Sequence, residues 1–323
     1  MKQDHTTVFS DPLYGYIQIE NPIILELINT AYFQRLRRIK QLSGVAMVFH
    51  CGEHSRFSHS LGVYELARRY STLKPIEASL DERSQTLLLV ASLLHDIGHG
   101  PYSHDFEVVF GSNHEKIGAK IIADDKEINL ILNKLDKSFA SDVQNIILKK
   151  GKYPLIEEII SSQIDIDRLD YLRRDSYFTG TSYGLVDLDK IMRSIAVKDN
   201  HLVYKETGLN AIEDFLISRH HMYSQIYYHV SGRSYEFILG KIYQRIYDLI
   251  KVGYNFNEDI NLLKRVMDNS MDIEAYLTID DFYINGLINS FTRGSDEILK
   301  RLSIDFLNRK IWGYIDDSEE NQP

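Results

Sequence analysis

The chain has 323 residues, 44% of them hydrophobic, with six prolines and no Gly/Ser-rich run, so it can bury a large core as one domain, or as one domain plus a smaller lobe, without long linkers. A formal net charge of −9 disfavours bulk nucleic acid as the main partner, because a polyanionic backbone rewards a basic surface. A single cysteine, Cys51, excludes an internal disulfide framework and a cysteine-based metal cluster and fits a reducing cytoplasm, while neither an apolar signal core in MKQDHTTVFSDPLYG nor a membrane-length apolar run is present.

The pattern is mainly helical. YGYIQIE (14–20) alternates and predicts a short strand. Residues 22–42 place Ile24, Leu27, Ile28, Ala31 and Leu36 near helical spacing, with Asn21 as cap and Pro22 in the first turn. Within this segment QRLRRIK (34–40) carries four positive charges; an isolated run of this kind reads as a solvated helix face. A second helix is predicted over 58–73 and a third over 82–97. The third carries Leu87, Leu88, Leu89, Val90, Ala91, Leu93 and Leu94, is apolar almost all round, and should be central. Gly98, Gly100 and Pro101 stop it, which leaves His95 and Asp96 at its end and His99 and His104 on the loop beyond.

Helices at 114–124, 126–135, 139–149 and 154–174 follow, and IAVKDNHLVY (195–204) predicts a hairpin around Asp199-Asn200. From Asn210 a long helical region begins, in which Phe215, Arg219, Tyr223 and Tyr227 recur every four residues on one face; Tyr223 reads as core packing. Helices continue to about 311, and DDSEENQP (316–323) is a polar, acidic tail predicted to be disordered. The expected organisation is one large domain over 1–240, a helical C-terminal lobe over 241–315, and the tail.

LLHDIGHGPYSH (93–104) sets three histidines and an aspartate directly after the most apolar helix. Across the chain, His59, His95-Asp96 and Asp167 form an ordered set of imidazoles and carboxylates, the donors that a hard or borderline divalent ion takes while keeping positions open for water and phosphate. Adjacent residues diverge by about 100° on a regular helix, so a terminus loosened by Gly98 is what lets His95 and Asp96 converge.

The stretches DPLYGYI (11–17), FQRLRRIKQL (33–42), RFSHSLGVYELA (56–67), LLHDIGHGPYSH (93–104), HE (114–115) and DIDRLDYLRRD (165–175) together resemble the HD-domain phosphohydrolases. The resemblance is to the deoxynucleoside triphosphate triphosphohydrolase branch, which includes the core of enzymes that join a sterile-alpha-motif domain to an HD domain. It implies a mainly α HD-domain helical core with small β-hairpin elements and a helical C-terminal lobe. It implies that His59, His95, Asp96 and Asp167 hold one divalent metal ion (Mn, Fe, Mg, Zn, Ni or Co), with room for a second ion at His99 or His104. It makes Asp167 the ligand of DIDRLD and leaves Asp165 to cap or pair locally and Asp170 to pair with a neighbouring arginine.

The resemblance also implies that Arg56, Arg168, Tyr171 and Asp175 surround a dNTP substrate, that Gln41 and Leu42 lie near the sugar, and that Arg219 and Tyr227 reach phosphate and sugar from the long helix. His99, His104 and His114 become catalytic, with His104 the general acid toward the 5′-oxygen, alone or with His99. Glu107 would hold the His104 imidazole in its tautomer and His114 would position phosphate. Val8, Asn29, Gln34 and Arg37 match a regulatory-nucleotide site. There Asn29 replaces an aspartate suited to both guanine N–H donors, and Thr7 replaces a lysine, so guanine activation should be weakened or changed. A cytoplasmic homo-oligomer is expected, dimer before tetramer because a long C-terminal extension of relatives is missing. The competing readings are an HD-type phosphodiesterase or phosphatase on another nucleotide or on nucleic acid ends, and a non-catalytic nucleotide sensor.

Overall fold

The axis of the fold is the helix Glu82–Leu94, on which Leu87, Leu88, Val90, Ala91, Leu93 and Leu94 are all excluded from solvent. Asp81 caps it by accepting a hydrogen bond from the Ser84 amide. The computed structural model describes residues 7–268 and 270–313; the side chains of His104 and Asp105, and the tail predicted at 316–323, lie outside the described residues.

The helix Arg56–Ser71 lies between Glu82–Leu94 on one side and Ile166–Thr179 on the other. The second crossing is close because position 62 is glycine: a Cβ there would stand 1.9 Å from Asp170 Oδ1. Toward the C-terminus the helix Val230–Lys251 packs against Glu297–Leu307, His104–Phe110 and the short turn Gly44–Met47. One buried apolar cluster runs through all of these elements. Two antiparallel hairpins complete the fold. Thr7–Asp11 pairs with Gly15–Ile19, and Ile195–Lys198 pairs with His201–Tyr204. In the second, Asp199 and Asn200 both take positive φ (52° and 62°), the geometry of a tight two-residue turn.

Four boundaries differ from the sequence pattern, each for a local reason. The predicted helix 22–42 is interrupted after Ile28, because buried Thr30 donates its hydroxyl to Leu27 O (2.7 Å) and accepts from Phe33 N, closing one helix and opening Ala31–Arg35. The predicted helix 154–174 splits into Pro154–Ile160 and Ile166–Thr179, because Asp165 accepts from both Ser162 N and Arg168 N (2.7 Å each) and caps a new start. His104 is the first residue of a helix, His104–Phe110, rather than part of a loop. The long region from Asn210 holds a π-helical turn at Tyr223–Tyr227, marked by Tyr228 N donating to Tyr223 O, before the chain restarts as Val230–Lys251.

Gly98 fixes the loop after the central helix against His114–Asp124: a Cβ there would lie 2.1 Å from His114 O and 2.3 Å from Gly118 N, all backbone. Gly98→Ala should therefore lower stability by about 1–3 kcal/mol. Gly240→Ala, where a Cβ meets nothing within 4 Å in a helix interior, should be neutral or slightly stabilising. Chemical denaturation of both variants, followed by circular dichroism, checks the contrast.

Candidate active site

Four polar side chains from three segments converge at the end of the central helix. His59 Nε2 lies 3.1 Å from Asp167 Oδ1 and 3.6 Å from Asp96 Oδ2, and His95 Nε2 lies 3.4 Å from Asp96 Oδ1 and 3.8 Å from Asp167 Oδ1. Ligands at right angles on an ion about 2.1 Å away stand about 3 Å apart, so this spacing suits one divalent cation. The imidazoles are aimed from behind: His59 Nδ1 is 2.8 Å from Asp170 Oδ2, and His95 Nδ1 is 2.8 Å from Ser92 O, which leaves both Nε2 atoms inward. His95 Nε2 is buried and makes no hydrogen bond, an orphaned donor atom of the kind a metal satisfies. A site of nitrogen and oxygen donors without sulfur fits a borderline or hard divalent ion.

Asp170 holds this arrangement together. Fully buried, it also accepts from Tyr14 OH (2.8 Å) and from Arg174 Nε (2.9 Å) and Nη2 (3.0 Å), and Arg174 in turn donates to Asp11 Oδ2 (2.9 Å). The expected arginine partner is Arg174; the support of His59 is the further role that spacing did not reveal. Asp165 has the local role expected of it, as helix cap and partner of Arg168.

The electrostatics favour positive charge at the centre. Burial would lower the His59 pKa, but hydrogen bonds to Asp167 and Asp170 push it up to about 10. Against burial, the charge of Asp96 raises His95. Burial would raise the Asp167 pKa, but the His59 imidazole at 3.1 Å and the nearby His95 ring hold it well below the usual carboxylate range. Beside this quartet, His99 and His114 stack with ring centres 3.9 Å apart. Glu107 Oε1 is 2.7 Å from His114 Nδ1 and accepts from His114 N (2.8 Å). The family resemblance implied Glu107 behind His104, whose side chain lies outside the described residues; the structure sets Glu107 behind His114. His99 Nε2 is 3.3 Å from Asp96 Oδ1, and burial together with the Arg56 guanidinium pushes the His99 pKa down to about 3.

These groups open onto a cavity of about 510 Å³, within the range of small-molecule sites. Gln41, Leu42, Arg56, Arg168, Tyr171, Asp175 and Tyr227 all line it, together with His59, Asp96, His99, His114 and Asp167. Arg56 donates to Asp96 Oδ2 (2.6 Å) and Ser103 Oγ (2.7 Å). Arg168 donates to Asp165 and to Ser162 O, and its Nε has no partner. Asp175 is set by His54 Nε2 (2.7 Å) and Tyr227 OH (2.5 Å).

Arg219 is not brought into the cavity. It donates to Gln163 Oε1 (3.2 Å) and lies over the Tyr223 ring. Tyr223, read from the sequence as core, lines the cavity and lies 3.4 Å from Tyr171 OH through its own hydroxyl. Sequence reasoning also missed His54, Ser103, Tyr102, Tyr228, Arg233 and Glu236; the apolar or i,i+3 charge patterns around them signal packing or solvated helix. Val8 and Asn29 are exposed, Gln34 donates to Ile28 O and accepts from Arg37, and Arg37 covers the Phe57 ring. None of these four lines the cavity.

An HD-domain family model matches residues 56–175, and a model of the HD-associated region matches residues 186–321. The chain is 41% identical to an uncharacterized protein, YwfO, of Bacillus subtilis over 98% of this chain and 73% of that protein. It is 28% identical to a deoxynucleoside triphosphate triphosphohydrolase SAMHD1 homolog of Dictyostelium discoideum, over 96% of this chain and 60% of that longer protein. Among solved structures, a phosphohydrolase from Bacteroides thetaiotaomicron superposes with a TM-score of 0.85 at 30% identity, covering 95% of this chain and 78% of that one. Among the described residues, no helix is long and apolar enough to cross a membrane.

Because the His59 pKa lies near 10, a cation entering the quartet has to displace a proton at neutral pH. Affinity for Mn²⁺ should rise with pH between 6 and 9, by up to about tenfold per unit for each proton released, and fall as the solution is acidified. Calorimetry in buffers of different ionisation enthalpy reads both the affinity and the proton count; a pH-independent affinity with no proton release contradicts the assignment.

Proposed function

Because the chain belongs to the HD-domain phosphohydrolases, we propose that it hydrolyses deoxynucleoside triphosphates to a deoxynucleoside and inorganic triphosphate. The observation that carries this reading is the convergence of His59, His95, Asp96 and Asp167, three of which line a cavity whose walls also hold Arg56, Arg168 and the His99–His114 pair. The likeness to the Dictyostelium triphosphohydrolase supports the substrate class.

A divalent ion held by the quartet supplies Lewis-acid activation of water and of a phosphoryl oxygen at neutral pH. Arg168, with an unpartnered Nε, and Arg56 neutralise charge on the phosphates as water attacks the α-phosphorus. The bond from phosphorus to the 5′-oxygen breaks, and that oxygen takes a proton. His99, kept neutral by burial and Arg56, is not the acid at pH 7. The donor role falls to His104, as its place in the motif implies, while Glu107 holds His114 against phosphate. Asp175, fixed by His54 and Tyr227, and Gln41 face the sugar, and Leu42 and Tyr171 leave little room for a 2′-hydroxyl.

One ion belongs to the quartet; the group His99, Glu107 and His114 is where a second would sit. The protein works as a homo-oligomer, a dimer before a tetramer, and a regulatory nucleotide binds outside the cavity at Val8, Asn29, Gln34 and Arg37.

Incubation with Mn²⁺, Mg²⁺ or Co²⁺ and a panel of dNTPs, NTPs and oligonucleotides, with chromatographic identification of products, separates the readings. Deoxynucleoside plus triphosphate is the expected result. Monophosphate or orthophosphate indicates the phosphodiesterase or phosphatase alternative, and tight binding without turnover indicates a sensor. Asp167→Ala should lower turnover by about 100-fold through lost metal. Asp165→Ala should lower stability by about 1–2 kcal/mol through the lost helix cap while retaining more turnover per folded molecule. In the same assay, Asn29→Asp should increase stimulation by GTP relative to the parent protein, because a carboxylate accepts from both guanine N–H groups; an unchanged response contradicts the regulatory assignment.

A further inference from the structure

The loop between the cation site and the helix His104–Phe110 is held by a distant part of the chain. Residues 98–103 fall within the HD-domain match, and most of the residues that grip them fall within the HD-associated region. Tyr276 donates its hydroxyl to Gly98 O (2.9 Å). Buried Arg35 donates from Nη1 to His99 O (2.8 Å) and from Nε to Ile279 O (3.0 Å), so it ties the two segments together. On the helix Asp281–Phe291, Asp281 and Asn285 are spaced i,i+4 on one face and take opposite ends of Tyr102. Asp281 Oδ1 accepts from the Tyr102 amide (3.1 Å), and Asn285 Oδ1 accepts from the Tyr102 hydroxyl (2.7 Å). The other oxygen of Asp281 accepts from Lys40 N (2.9 Å), next to Gln41 in the cavity wall.

This grip falls on a backbone conformation that disfavours side chains. Tyr102 and Ser103 are consecutive non-glycine residues with φ of 53° and 46°, and a ψ of −106° puts Ser103 outside the left-handed helical region as well. Such a conformation persists only where its surroundings over-determine it. The turn sets Ser103 Oγ where Arg56 Nη2 donates to it (2.7 Å), while Arg56 Nη1 donates to Asp96 Oδ2 (2.6 Å). It also leads directly into the helix that begins at His104. Asp281 and Asn285 do not line the cavity, so any effect they have on the site passes through Tyr102 and Lys40.

We propose that Asp281 and Asn285 are positioning residues: they hold Tyr102–Ser103 in its strained turn and thereby set Arg56 and the start of the helix His104–Phe110. The consequence for turnover rests on the triphosphohydrolase reading; the clamp itself does not. Hydrogen–deuterium exchange and steady-state kinetics with dNTPs compare wild type, Asn285→Ala, Tyr102→Phe, the double variant, and Asn285→Asp, which keeps an acceptor. In Asn285→Ala and Tyr102→Phe the amides of 101–106 should exchange about tenfold faster, with those of 87–94 unchanged. Turnover per folded molecule should fall about tenfold, because a small misplacement of reacting groups is costly, while Mn²⁺ affinity, set by the quartet, stays the same. The double variant should be no worse than either single one, since both remove the same hydrogen bond. Asn285→Asp should recover most of the loss.

Unchanged exchange at 101–106, an equal rise at 87–94, or a loosened loop with full turnover overturns the assignment and leaves the triphosphohydrolase reading intact. Absence of turnover with every dNTP removes that reading instead, and the clamp then stands or falls on the exchange pattern alone.

Discussion

The hydrogen bond between buried Asp170 and His59 is the interaction on which the site depends. It exists because Gly62 lets the helix Ile166–Thr179 approach Arg56–Ser71 more closely than any side chain at 62 would permit. A carboxylate at 0% exposure is costly unless compensated, and Asp170 is compensated by Arg174, Tyr14 and His59 together, with Arg174 tied back to Asp11 in the first hairpin. The first strand pair, the central bundle and the orientation of a single imidazole are thus one hydrogen-bonded unit. Removing Arg174 would leave both Asp170 and Asp11 without their guanidinium partner, so the arrangement specifies one geometry and resists small distortions.

Polar groups of the candidate site sit where helices end. His95 follows Leu94 at the close of an apolar helix, Asp167 lies in the first turn of Ile166–Thr179, and His114 opens His114–Asp124. Helix interiors supply rigid apolar surface, and termini release backbone and side chains from the helical repeat. His95 and Asp96 illustrate the point. As neighbours inside a helix they would face different directions, but past the last turn both reach the same cation position. The two acidic residues of Asp165-Ile166-Asp167 divide in the same way. Asp165 spends both oxygens on amides and Arg168, and Asp167 keeps Oδ1 for the imidazoles.

Much of this was legible in the residues. The apolar run 87–94, the glycines after it and the ordered imidazole–carboxylate set mark a buried helix ending in a group that could hold a metal ion, and the HD-domain resemblance agrees with the family that the comparisons give. What could not be read depends on tertiary contact. The strand Thr7–Asp11 has no alternating pattern of its own and exists by pairing with Gly15–Ile19. The break at Thr30 turns on one hydroxyl bonding backward as well as forward. Periodicity put Arg219 and Tyr223 on one face, and Arg219 does lie over the Tyr223 ring, yet of the two only Tyr223 lines the cavity.

Glu236 shows why such residues escape a sequence reading. Arg233 and Glu236 are spaced i,i+3, the commonest pattern of an exposed helical ion pair, which contributes little to stability and normally signals nothing more. What changes their meaning is Gly44, nearly two hundred positions earlier in the chain, whose missing side chain lets a turn close over the helix and convert a surface carboxylate into a cavity wall. The same device operates at Gly62 and Gly98, where absent side chains let helices and loops meet at backbone distance. In this protein side chains that line the cavity are set by residues that contribute no group at all.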